Sequence, residues 1–192
     1  MNLGIPYQTL EISRIHVKPF QLDSKGRSIA QLIYNDTNVS LTDFVILSPP
    51  LTVIDYDKTT GRMRFSISSD EQFSRKFMTM QQYLISTLYL HRLQFFQYDY
   101  SHDDIEMMFQ PLMDIDTMSI FIYPTTQVKR SDGTLSTVHA LRPGDRVRFP
   151  LYVYGIMLLT NMYTPTTYMQ LHHTLPRLRI QHNVPYMWVI SD

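Results

Sequence analysis

The chain of 192 residues contains no cysteine, so it has no disulfide framework, no thiolate zinc site and no cysteine nucleophile. Glycine is scarce, at 6 residues, and neither a dinucleotide fingerprint nor a phosphate-cradling loop with its Lys and Ser/Thr occurs. Chemistry driven by a bound nucleotide is therefore disfavoured. No long hydrophobic run is present either. The longest, Phe149 to Leu159, is interrupted by Pro150 and Gly155 and falls well short of the ~20 residues that span a bilayer. Met1 to Leu10 lacks the basic start and apolar run of a signal peptide. Together these absences predict a non-secreted, intracellular protein without membrane insertion. The two sequons, Asn35-Asp36-Thr37 and Asn38-Val39-Ser40, are then incidental to a polar turn.

An excess of one charge is also missing. Lys and Arg number 17 and Asp and Glu 17, for a net charge of zero, so no overall field draws the molecule to polyanions. The balance nevertheless hides a polarised chain. Tyr98 to Asp116 has no Lys or Arg and six acids, Asp99, Asp103, Asp104, Glu106, Asp114 and Asp116, whereas Thr117 to Asp192 has 7 basic residues against 3 acidic. What is abundant is bulk: 13 Tyr, 12 Met, 10 Phe and 11 Pro. Such side chains fill a core and also equip binding surfaces.

The length suits one domain over 1–192. Tyr7 to Lys18 reads as extended and returns through a Gly26 turn into Arg27–Tyr34, a hairpin. Phe44–Leu47, bounded by Pro49-Pro50, reads as a short buried strand, and Arg62–Ser68 alternates with Met63, Phe65 and Ile67 inward. The period then lengthens: Phe73, Phe77, Met80, Leu84 and Leu88 form one stripe of an amphipathic helix over about 70–91, with Ser69 and Gln72 as a capping box. Residues 98–116 form an acidic insertion or loop, either solvated or folded over a basic groove. Strands resume at Met118–Tyr123, with a long strand Asp145–Thr160 and a closing strand Pro176–Ile190. The expected fold class is mainly β: an OB-like small β-barrel with one amphipathic helix, the alternative being a jelly-roll or β-sandwich.

Catalytic constellations are weak. His102-Asp103-Asp104 with Glu106 is read as a solvated acidic stretch, and His172-His173 on a strand would point to opposite faces. No nucleophile elbow accompanies the Ser, His and acidic residues. The sequence predicts no enzyme, no metal and no cofactor.

Three Arg pairs recur at spacing two: Arg62 and Arg64, Arg146 and Arg148, Arg177 and Arg179. On a strand each pair shares a face, and in the long strand that parity continues to Tyr152 and Tyr154. Guanidinium groups for phosphates beside rings for bases are what sequence-tolerant binding of single strands requires.

The order of segments "SPPLTV", "RMRFSIS", "DEQFSRKFMTMQQYLIST" and "RPGDRVRFPLYVYGIMLL…LPRLRIQHNVPYMWVI" resembles the OB-fold single-stranded DNA-binding proteins of large nucleocytoplasmic DNA viruses, in which a helix precedes a strand with a Gly near its middle. That resemblance implies sequence-independent coating of single-stranded nucleic acid, DNA rather than RNA, in replication, recombination or repair. The implied contacts are Arg62, Arg64, Arg146, Arg148, Tyr152, Tyr154, Arg177 and Arg179, and a homo-oligomer is compatible with it. The competing expectation is a structural, capsid-associated component that binds other virion proteins.

Overall fold

The computed structural model describes residues 4–36, 39–42, 44–159 and 175–190. In chain order the strands are β1 (Gly4–Pro6), β2 (Ile15–Leu22), β3 (Ser28–Asp36), β4 (Val39–Leu41), β5 (Phe44–Leu47), β6 (Leu51–Asp57) and β7 (Arg62–Ser66). Three helices follow, α1 (Glu71–Leu90), α2 (Arg92–Phe96) and α3 (His102–Met108). The chain then returns to strands: β8 (Phe109–Gln110), β9 (Thr117–Phe121), β10 (Gln127–Lys129), β11 (Leu135–Thr137), β12 (Arg146–Arg148), β13 (Pro150–Leu159), β14 (Arg177–Asn183) and β15 (Tyr186–Ile190).

The fold is mainly β, and its strands form two open sheets with no closed barrel among the described residues. In the first sheet β1, β5, β13, β14 and β8 are neighbours in that order, and β3 joins β13 while carrying β2 and β4. In the second the order is β11, β10, β15, β12, β6, β7, β9. Both bury their inner faces in one core, with Leu32, Phe44 and Ile156 from the first sheet and Phe65, Met118 and Val147 from the second.

Four connections pass directly from one sheet to the other, the three shortest with proline at the corner: Pro49-Pro50 between β5 and β6, Pro150 as the first residue of β13 after β12, and Pro185 between β14 and β15; the longer fourth runs from β8 to β9. Proline lacks the N–H that a continuous ladder needs, so it marks the corner where a strand leaves one sheet. The expected single strand Asp145–Thr160 is thus two strands in different sheets, and the closing strand Pro176–Ile190 divides in the same way. Ser48 and Phe149 pin the first two crossings together. The Ser48 N–H donates to the Phe149 carbonyl at 3.0 Å, and the Phe149 N–H donates to the buried Ser48 Oγ at 2.9 Å.

Helix α1 matches its expected stripe, burying Phe73, Phe77, Met80, Leu84 and Leu88, with Ile85 added. Its cap lies one residue beyond the expected Ser69: Asp70 accepts the Phe73 N–H at 2.9 Å and is itself held by the Tyr7 hydroxyl at 2.6 Å. Tyr7 to Arg14 is not extended. It makes two short 3-10 turns tied to α1, where Lys76 Nζ donates to the Leu10 carbonyl at 2.9 Å. Residues 98–116 are not a loose insertion. The hydroxyl and N–H of Ser101 pair with Asp104 in a capping box that starts α3, whose Ile105 and Met108 are buried, and β8 then pairs with β14.

At Gly155 β3 and β13 approach so closely that a Cβ there would lie 2.7 Å from Ile29 Cγ2 and 3.0 Å from the Ala30 carbonyl oxygen. Overpacking of this kind costs about 1–3 kcal/mol. Gly155→Ala is expected to lower the urea unfolding midpoint accordingly, and an unchanged midpoint would contradict this tight β3–β13 contact.

Candidate functional site

Among the described residues, the outer side of the second sheet carries exposed side chains. Val128, Val147, Met187, Met63 and Phe65 are buried, while their neighbours Lys129, Arg146, Arg148, Tyr186, Trp188, Arg62 and Arg64 are exposed. Cross-strand partners share a face, so the register arranges these exposed side chains in rows. Lys129 faces Trp188 and Trp188 faces Arg148. Arg146 lies between Ile190 and Thr52, and Thr52 faces Ser66. On β7, Arg64 faces Ser119 and Arg62 faces Phe121 of β9. All four expected arginines of this sheet therefore point the same way. With strands spaced ~4.8 Å, β10 to β7 fit within about 20 Å.

The rings on this face are accessible. Trp188 and Tyr186 pack edge-on at 4.8 Å between centroids, and each leaves 37% of its surface exposed. A cleft of about 590 Å³ opens beside Arg148 between Tyr7, Phe149 and Trp188, within the range of ordinary small-molecule pockets. The electrostatics are partly self-neutralised. Arg64 pairs with Asp55, its Nε donating to Oδ1 at 2.9 Å, and this holds the Asp55 carboxyl below its ordinary range. Arg62 and Arg148 form no ion pair among the described residues.

The other four expected contacts lie in the first sheet. Because the chain changes sheet at Phe149-Pro150, Tyr152 and Tyr154 do not continue the face of Arg146 and Arg148. The register also slips between Val153 and Gly155, which makes Tyr154 the extra residue of a bulge. Tyr152 faces Asn183, and Arg179 and Arg177 face Met157 and Leu159 on the same strand pair. Tyr154 lines a hollow with Tyr123 and Asn183. The eight residues thus form two groups rather than one channel.

The groups meet at one seam. Segment 109–114 bridges the sheets, pairing with β14 through β8 and then with β9, where the Ser119 N–H donates to the Leu112 carbonyl at 2.8 Å. A cleft of about 180 Å³ beside it is lined by Arg62 from the second sheet, Arg179 from the first, and Arg27 from the turn before β3. His182 seals its floor. Its Nε2 accepts the Phe121 N–H at 2.9 Å, which leaves the ring proton on Nδ1, 3.3 Å from the Ile180 carbonyl.

The acidic segment does not cover the arginines by ion pairing. Its one Arg partner among the described residues is Arg92, whose Nε donates to Asp99 at 2.6 Å. On α3, His102, Asp103 and Glu106 bring their potential ligand atoms within 4.8 Å of one another, on an exposed surface. His172 and His173 lie outside the described residues. No helix among those described is long and apolar enough to cross a membrane. The sequence offers Lys129 only as a turn residue able to add loop contacts, and Tyr186, Trp188 and Arg27 are not read from it. The alternation of Tyr186-Met187-Trp188 was legible as a strand with two outward rings, but the partners of that strand were not.

Burial pushes the His182 imidazole down to about 4 from its ordinary 6.5, and the nearby Arg179 charge acts in the same direction. Between those two pH values the unfolded chain binds a proton that the folded chain excludes, so stability falls as pH drops through the window and levels off below it. The full loss is about 3 kcal/mol. Urea unfolding at pH 7 and pH 4.5 is expected to show most of this loss in the parent chain and a smaller one in His182→Gln; equal losses would contradict it. No protein-family model, curated protein or solved structure matches the chain.

Proposed function

We propose that this chain is a sequence-independent single-stranded DNA-binding protein of viral-type replication, recombination or repair, acting inside the host cell without catalysis. The observation that carries the proposal is the outer face of the second sheet, where Arg62, Arg64, Arg146 and Arg148 project beside Lys129, Trp188 and Tyr186. Cations set a few strands apart follow a phosphate backbone, and an exposed indole offers a platform on which any base stacks, worth roughly 1–3 kcal/mol per base. Neither contact reads sequence. The OB-like affinity of the fold belongs to the same proposal, supported by the position of α1 after β7 and by Gly155 within the longest strand.

Release of counterions makes such binding weaken with salt, with a slope of about −0.7 per phosphate contacted on a single strand. In fluorescence anisotropy with a labelled oligo(dT), Arg146→Ala together with Arg148→Ala is expected to lower affinity and flatten the log K against log salt slope by roughly 1.4. Trp188→Ala is expected to weaken binding about five- to a hundredfold with the slope unchanged. Absence of binding at low salt by the folded parent chain would refute the proposal. It would favour the second reading, a structural virion component, for which the exposed Leu90, Leu93 and Met107 on the helical side supply apolar contact surface.

A further inference from the structure

The seam cleft differs from the open face in its chemistry. Arg27, Arg62 and Arg179 reach it from three separate parts of the chain, and among the described residues no carboxylate lines it. Arg27 is held by Asp23, whose Oδ2 accepts from its Nε at 2.7 Å, but Arg62 and Arg179 have no ion-pair partner among the described residues. Like charges brought together without a counterion are costly where water is limited, and an anion relieves that repulsion.

A second observation points to the same occupant. Ser119 lines the cleft, and its Oγ is buried without a hydrogen-bond partner. An unsatisfied buried hydroxyl is unfavourable, and a rotation of the Ser119 side chain would bring its O–H to an acceptor oxygen in the cleft. His182 contributes no charge, because its depressed basicity keeps it neutral and its Nε2 is already occupied by the Phe121 N–H. The cations are therefore arginines, whose forked donors match tetrahedral oxyanions. The volume, about 180 Å³, is below the ~300–1,000 Å³ of ordinary ligand pockets and suits one compact anion better than a base with its sugar.

We propose that the cleft between Arg62, Arg179 and Ser119 is a binding site for a single phosphate dianion, carried either as the terminal phosphomonoester of a strand or as free phosphate. The strand-end source rests on the single-strand reading above, whereas the phosphate site does not. Internal phosphodiesters carry one charge each, but a terminal phosphate carries nearly two at neutral pH, so two unpaired arginines discriminate in favour of an end.

Isothermal titration of inorganic phosphate into the full chain at pH 7.5 and constant ionic strength tests the site. One-to-one binding is expected, weakened at least about tenfold by Arg179→Gln and by Arg62→Gln, with Arg142→Gln, outside the cleft, unchanged. Arg62 is exposed, so its variant keeps the test valid if Arg179→Gln does not fold. No binding of phosphate to the parent chain, or an affinity unchanged from the parent in both cleft variants, would overturn the proposal. Comparison of 5′-phosphorylated with 5′-hydroxyl oligo(dT) then separates the sources. Tighter binding of the phosphorylated strand, lost in Arg62→Gln, identifies a strand end; equal binding of the two with inorganic phosphate still bound identifies free phosphate. Phosphate binding without any oligonucleotide binding would refute the single-strand function and leave the phosphate site standing.

Discussion

The structure depends on where three strand runs change sheet. Each crossing takes place at proline, and the first two are clamped by the reciprocal hydrogen bonds of Ser48 and Phe149. Proline removes a ladder donor and fixes φ, so the strand cannot continue flat in its own sheet. The Ser48 hydroxyl supplies the acceptor that the displaced Phe149 N–H would otherwise lack, which matters because both residues are buried. This corner decides which side chains share a surface. It turns Arg146 and Arg148 outward from the second sheet beside Trp188, and sends Tyr152 and Tyr154 into the first.

Local elements were legible in the sequence, and their assembly was not. The α1 stripe was readable because a period of 3.6 over five apolar residues admits one solution. The alternation of β7 was readable because Met63, Phe65 and Ile67 are all large and apolar. The 145–160 run misled because its alternation persists through Phe149 and Pro150, and periodicity contains no record of a change of sheet. Only the proline hinted at it. Likewise the acidity of 98–116 suggested a solvated loop, but Ile105 and Met108 within it anchor α3 to the core. Charge density masked a short amphipathic pattern there.

Of the expected site, the three arginine pairs were visible as residues two apart, and their outward direction in β7 and β12 followed from that spacing. Their neighbours depended on long-range pairing. The row of Lys129, Trp188 and Arg148 joins segments about 40 to 60 residues apart in the chain, and the seam cleft joins Arg27 to Arg179 across most of its length. Neutral total charge is compatible with a basic face because most of the acids lie elsewhere, although Asp55 and Asp57 of β6 stand opposite Arg64 and Arg62. Asp23 and Asp57 accept N–H donors of their own loops, and Asp55 is ion-paired to Arg64.

The chain has a single tryptophan, and Trp188 stands in the middle of the proposed contact surface, so its fluorescence reports on that surface alone. Titration of the unmodified chain with oligo(dT) at low salt is predicted to quench the emission and to restore it as salt is raised. Binding of oligo(dT), detected independently, with emission from Trp188 unchanged would contradict the assignment of this face.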